Sequence, residues 1–173
     1  MVQLTLTQLE QKANDIRRDI ITMLEAAGSG HSAGPLGLAD IFAALYFNVM
    51  NIRPEEPEWA ERDVFFLSNG HCVPVQYATM AEAGYFDKKE LTTLRKFGSR
   101  LQGHPEREKL PGLENTSGPL GSGLSQASGY AYSLQYLEEN PRRFVYVVMG
   151  DGELNEGNIW EAAMLLASTS SHS

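Results

Sequence analysis

Apolar positions along this chain fall into two rhythms, one helical and one continuous. Leu9, Ala13, Ile16, Ile20 and Leu24 recur every three or four residues, the spacing that lines one face of an α-helix. Thr7 with Glu10 reads as a capping box ahead of them, which predicts a helix over residues 8–27. A glycine-rich loop over residues 28–37 separates it from Leu38, Ile41, Phe42, Leu45 and Val49, the stripe of a second amphipathic helix. Residues 51–62 are polar and hold Pro54 and Pro57, an excursion before a strand expected over residues 63–68. That strand ends in Ser68-Asn69-Gly70-His71, and Pro74 suits the first turn of the helix that follows. Asp87 with Glu90 heads another expected helix over residues 88–97, after which residues 98–123 are irregular. A loop of that length inside a compact domain is usually functional. A helix of small residues is expected over residues 124–136, where Ser125, Ala127, Ser128, Gly129 and Ala131 would allow close packing. Residues 144–149 are then apolar without alternation, the mark of a strand buried on both faces of a parallel sheet.

Strands alternating with helices predict an α/β domain with a mostly parallel sheet flanked by helices. With 173 residues and 42% hydrophobic content the chain can build one core but not two comfortable ones. A net charge of −8 and a pI near 5.0 argue against nucleic acid or an anionic membrane as the main partner. The single Cys72 forms no internal disulfide, the N-terminus shows no charged-then-apolar leader, and no apolar run has the length of a membrane span. The expected location is the cytoplasm. The Ser-rich end, residues 168–173, reads as frayed or cut.

Candidate chemistry gathers where the second strand ends. Gly150 and Gly152 bracket Asp151, so the backbone can turn sharply and approach a ligand while one carboxylate stands past the strand's carboxyl end. A lone carboxylate in that place suits Mg²⁺, which takes few protein ligands and completes its shell with phosphate oxygens and water. The same three residues also make an ordinary tight turn. Gly121-Ser122-Gly123 before a helix can offer N–H groups to phosphate, although it is neither a Walker A loop nor a dinucleotide fingerprint. His31 and His71 sit in glycine turns, where a histidine is more often a surface or capping residue than a functional one.

Four stretches, GSGHSAGPLG, FFLSNGH, GHPE with SGPLGSG, and GDGELNEGNIWEA, occur in one order. Together they resemble the N-terminal part of transketolase, a thiamine-diphosphate (ThDP) enzyme, in the type whose N-terminal subunit is separate from its pyrimidine-domain partner. The resemblance covers residues 8–167 and implies a thiamine-diphosphate-binding (PP-type) fold. That fold would be incomplete at the C-terminus, because the family's motif closes with an Asn that would lie beyond Ser173. Residues 1–173 are therefore expected to be a single partial domain.

The resemblance also implies roles. Asp151 would ligate Mg²⁺, with Gly150 and Gly152 against the diphosphate, while His71, Gly118 and Leu120 would contact the cofactor. His31 and His104 would face the sugar and move protons, as suits imidazoles near neutral pH. Glu156 would lie on the cofactor side, with Glu161, towards the subunit interface. Cys72 and Val73 replace smaller residues usual in the family and are expected to narrow the diphosphate pocket. The implied activity is transfer of a two-carbon ketol unit from a ketose phosphate to an aldose phosphate. ThDP and Mg²⁺ would be the cofactors, and sugar phosphates and a C-terminal pyrimidine-domain subunit the partners, in a hetero-oligomer. The isolated chain would be inactive. Neighbouring readings are another ThDP enzyme, such as 1-deoxy-D-xylulose-5-phosphate synthase or dihydroxyacetone synthase, and a non-catalytic interaction subunit.

Overall fold

The computed structural model describes residues 3–137 and 143–170. Helix α1 spans Leu6–Ala27 and buries Ala13, Ile16, Ile20 and Met23. Its capping box is set two residues earlier than Thr7 and Glu10 suggest: the Thr5 hydroxyl accepts from Gln8 N, and the Gln8 side chain accepts from Thr5 N at 2.8 Å. The register is decided from outside the helix. Asn48 clamps the entering chain, its Oδ1 accepting from Leu4 N at 2.8 Å and its Nδ2 donating to Leu4 O at 2.9 Å.

Helix α2, Ala33–Ala44, begins sooner than the glycine-rich run implied, so Gly34 and Gly37 lie inside it and the loop holding His31 is short. A π-helical turn, Leu45–Val49, follows; the face that packs inward is Pro35, Ala39, Phe42, Ala43 and Tyr46, so Ile41 and Val49 of the expected stripe are exposed instead. Strand β1, Val64–Leu67, is wholly buried. Helix α3, Val73–Ala83, starts with Pro74 in its first turn and is covered along most of its length. The expected helix over residues 88–97 is a short 3₁₀ segment, Lys88–Thr93, headed by Asp87, whose carboxylate accepts from Lys89 N at 2.9 Å. It stops early because Leu94 is extended and Arg95 turns into the left-handed region at φ 60°.

The irregular run is longer than expected, reaching from residue 94 to 121, and is held by buried Leu101, Leu110 and Leu113. Asn115 also ties it down, bonding both Leu67 N at 3.3 Å and Leu67 O at 3.2 Å as a neighbouring strand would. Helix α4, Ser122–Tyr136, follows. Of the five small residues expected to pack, only Ala127 and Ser128 are buried, and Ser125 and Gly129 face solvent; the closest approach is made by buried Gly123, where a Cβ would collide with Ser68. Strand β2, Val145–Val148, a 3₁₀ turn, Gly152–Asn155, and helix α5, Gly157–Ser170, complete the described chain. Residues 171–173 of the Ser-rich end lie outside the described residues.

β1 and β2 pair in parallel, Val64 with Val145 through Leu67 with Val148. Phe65, Leu67, Tyr146 and Val148 join the core built by α1–α3, while Val64, Phe66, Val145 and Val147 meet Ala127 and Tyr130 of α4. Helices thus cover both faces, as a parallel sheet requires. β2 is only half-buried, contrary to the continuous apolar run, because among the described residues it has β1 along one edge and no strand along the other. Phe65 anchors the main core, its ring 5.1 Å from Phe42 and 5.7 Å from Tyr46. Phe65→Ala is expected to cost about 3–5 kcal/mol of unfolding free energy by denaturant titration; a loss below about 1 kcal/mol would contradict this packing.

Candidate active site

Because the strands are parallel and in register, their carboxyl ends open onto one lip. Ser68 N donates to Val148 O at 2.9 Å, so Ser68-Asn69-Gly70-His71 and Gly150-Asp151-Gly152 emerge side by side. Asp151 is exposed, and no hydrogen bond or ion pair engages its carboxylate among the described residues. Gly152 has open space where a Cβ would stand. Glu156 and Glu161 are exposed on the 3₁₀ turn's end and on α5.

The three described histidines converge from three separate stretches. His31, just ahead of α2, lies with its ring 5.1 Å from that of His71, in the turn after β1. A Cβ on Gly70 would stand 2.9 Å from the His104 ring and 2.6 Å from Ser117 Oγ, so only glycine lets the GHPE and SGPLG stretches close on the β1 turn. Burial holds the pKa of His104 below its ordinary value of 6.5, and the charges of His71, His31 and Arg95 push the same way. Arg95 reaches this group through its strained turn, whose N–H donates to Leu101 O at 2.9 Å. Its guanidinium lies where Cβ atoms on Gly30 and Gly103 would stand 3.7 Å and 2.7 Å away. Arg95, Gln102, His104 and Ser117 line a hollow of about 430 Å³.

Behind the lip sits a buried carboxylate that no local motif marks. Glu153, 1% exposed, accepts from Ser68 Oγ at 2.6 Å, Gly121 N at 2.8 Å and Gly150 N at 2.8 Å. Ser68 Oγ in turn accepts from Gly123 N at 3.2 Å, and Ser122 N donates to Pro119 O. The three amides of Gly121-Ser122-Gly123 are therefore engaged within the protein, and the phosphate cradle suggested by that tripeptide does not exist there. Gly118 and Leu120, just upstream, are exposed. Cys72 does not narrow the lip as expected. It is buried, with its Sγ where a Cβ on Gly34 of α2 would be, and its thiol is pushed up to about 11 by burial and by Glu153.

Two observations test whether these residues fit a metal-bound diphosphate. Asn69 Oδ1 and Ser117 Oγ are buried without a hydrogen-bond partner, on either side of Gly70, so the turn carries polar capacity the chain itself leaves unused. Asp151, a hard oxygen donor with no protein cation to neutralise it, stands at the same lip. The residues fit such a group, with Asp151 the side chain that could ligate its metal; among the described residues no cluster of three His, Cys, Asp or Glu side chains occurs.

A two-faced parallel sheet with a carboxylate, glycine turns and histidines outside the carboxyl ends of its strands defines an α/β cofactor-binding domain. The chain belongs to the transketolase family, since that family's thiamine diphosphate-binding domain matches residues 9–171. It is 42% identical over 156 residues to the 6-deoxy-6-sulfo-D-fructose transketolase subunit SqwG of Clostridium sp. (strain MSTE9), covering 90% of this chain and 56% of that one. With an apulose-4-phosphate transketolase subunit of Phocaeicola vulgatus it shares 39% over 156 residues, covering 90% and 54%. Human transketolase is 42% identical over 160 residues, covering 92% and 25%. The solved transketolase of Campylobacter jejuni superposes with a TM-score of 0.85 at 32% identity, over 94% of this chain and 26% of that chain. The chain thus spans about half the length of its subunit-type relatives and about a quarter of the full transketolases.

Proposed function

We propose that the chain forms the diphosphate and Mg²⁺ side of a transketolase that moves a two-carbon ketol unit between sugar phosphates, working with a pyrimidine-domain partner subunit. The unpaired Asp151 beside the His31–His71–His104 group carries the reading. When bound, ThDP supplies carbanion stabilisation at its thiazolium ring. Asp151 would hold Mg²⁺, Gly150 and Gly152 would lie against the diphosphate, and Gly118, Leu120 and His71 would position the cofactor. His31 and His104 would hydrogen-bond the sugar hydroxyls and move their protons, while Glu156 and Glu161 would face the partner. Relatives named for sulfofructose and apulose phosphate support the same transfer on other anionic sugars as a second reading. Assay of the full-length polypeptide with its partner against fructose phosphate, xylulose phosphate, apulose 4-phosphate and 6-deoxy-6-sulfofructose, whose sulfonate stands in place of the phosphate, tests both. Two-carbon transfer to an aldose phosphate supports the proposal, and its absence with every donor contradicts it.

His104 gives a pH expectation. With its pKa depressed, the folded state disfavours the imidazolium, so the neutral ring is held through pH 6.5 and is lost only as pH falls through the lower folded value. The related stability is present above pH 6.5 and fades below it. Titration of the His104 ring protons by NMR should give a midpoint below 6.5 that rises in Arg95→Met without reaching 6.5, since burial remains. A wild-type midpoint above 6.5 would contradict the arrangement.

A further inference from the structure

Glu153 is the most buried charged side chain at the lip, and the proposed chemistry makes no use of it. We infer that Glu153 is a positioning residue that sets the spacing between the Gly118–Leu120 cradle and the Asp151 metal lip, and so the affinity for a metal-diphosphate. The inference rests on the proposed cofactor site.

Its three bonds reach three separated stretches: Ser68 at the end of β1, Gly121 at the start of α4 and Gly150 before Asp151. Two of the bonds fix a residue next to one the proposed site uses, since Gly121 follows Leu120 and Gly150 precedes Asp151, and the third ties both to the end of β1. All three partners are donors, and only a carboxylate can accept from all of them at once. No Lys or Arg pairs with Glu153 among the described residues; its carboxylate accepts from these three donors, one of them the backbone amide at the N-terminal end of α4. Burial keeps Glu153 from reaching a metal shared with solvent-exposed Asp151. Its influence on the cofactor therefore runs through backbone placement. Glutamine in its place would keep the shape but turn an N–H₂ group toward at least one N–H or O–H donor, forcing the two loops apart.

The test is a calorimetric titration of full-length wild-type and Glu153→Gln polypeptides, each assembled with the partner subunit, using ThDP at fixed Mg²⁺, with kcat measured at saturating cofactor. The variant should bind about 10- to 100-fold more weakly, as loss of an orienting group around a metal site typically does. Its kcat at saturation should stay within about threefold of wild type, because the histidines are untouched. Equal affinities, or a kcat loss as large as the affinity loss, overturn the inference. If the wild type itself does not bind, the cofactor reading fails instead and takes this one with it. Should the variant not fold, hydrogen exchange on the wild type decides: Gly121 and Gly150 amides protected before cofactor is added support the role. Protection appearing only with ThDP and Mg²⁺ overturns it.

Discussion

Asp151→Ala should abolish Mg²⁺-dependent ThDP binding by the full-length, partnered protein, with an affinity loss of at least about 100-fold, the scale of removing a metal ligand rather than its support. The fold should survive. Asp151 is exposed and engages no described side chain, so its removal leaves no buried group orphaned. Exposed substitutions of that kind usually change stability by less than about 0.5 kcal/mol. The separation of the two effects is the point: a large loss of binding with an unchanged melting temperature places the metal at the lip. Unchanged affinity would remove Asp151 from the site.

His104→Ala should lower kcat by about 10²- to 10⁴-fold, the range for a positioned general acid or base, and leave ThDP affinity within a few-fold of wild type. His104 packs against Gly70 in the turn after β1, near His71, and lines the hollow shared with Arg95. Its pKa is held below 6.5 by burial and by neighbouring positive charge, so the ring is neutral above pH 6.5 and able to accept a proton. Loss of cofactor affinity with turnover per bound cofactor intact would show that His104 serves the cofactor instead.

The elements visible in the sequence are those whose signal is local. Ile16, Ile20 and Met23 lie buried on α1, at or between the positions the helical spacing marks, and the glycine-bracketed Asp151 lies past β2 as its flanking residues require. Where two local signals competed, tertiary contacts chose. Thr5 with Gln8 and Thr7 with Glu10 are both cap patterns, and the Asn48 clamp on Leu4 selects the first. Lys88–Thr93 has helix-forming composition, but the chain is led away at Leu94 and the turn at Arg95 ends it as 3₁₀.

The parts of the site that pattern could not reveal depend on distant pairings. Glu153 meets Ser68 across 85 positions and Gly121 across 32, and Asn115 meets Leu67 across 48. Read locally, Glu153 is one acidic residue in a polar turn. Its burial follows only once β1 and β2 pair and bring the glycine-rich stretch onto the same lip. The same pairing explains why the Gly121-Ser122-Gly123 amides, free by sequence, are used by the protein itself.

The most direct measurement is calorimetric titration of ThDP into the full-length polypeptide joined to its partner, once with Mg²⁺ and once with the metal removed by chelation. A metal held by Asp151 at the strand ends predicts saturable binding with Mg²⁺ and at least about 100-fold weaker binding without it. Equal binding in both conditions, or none in either, would contradict the account.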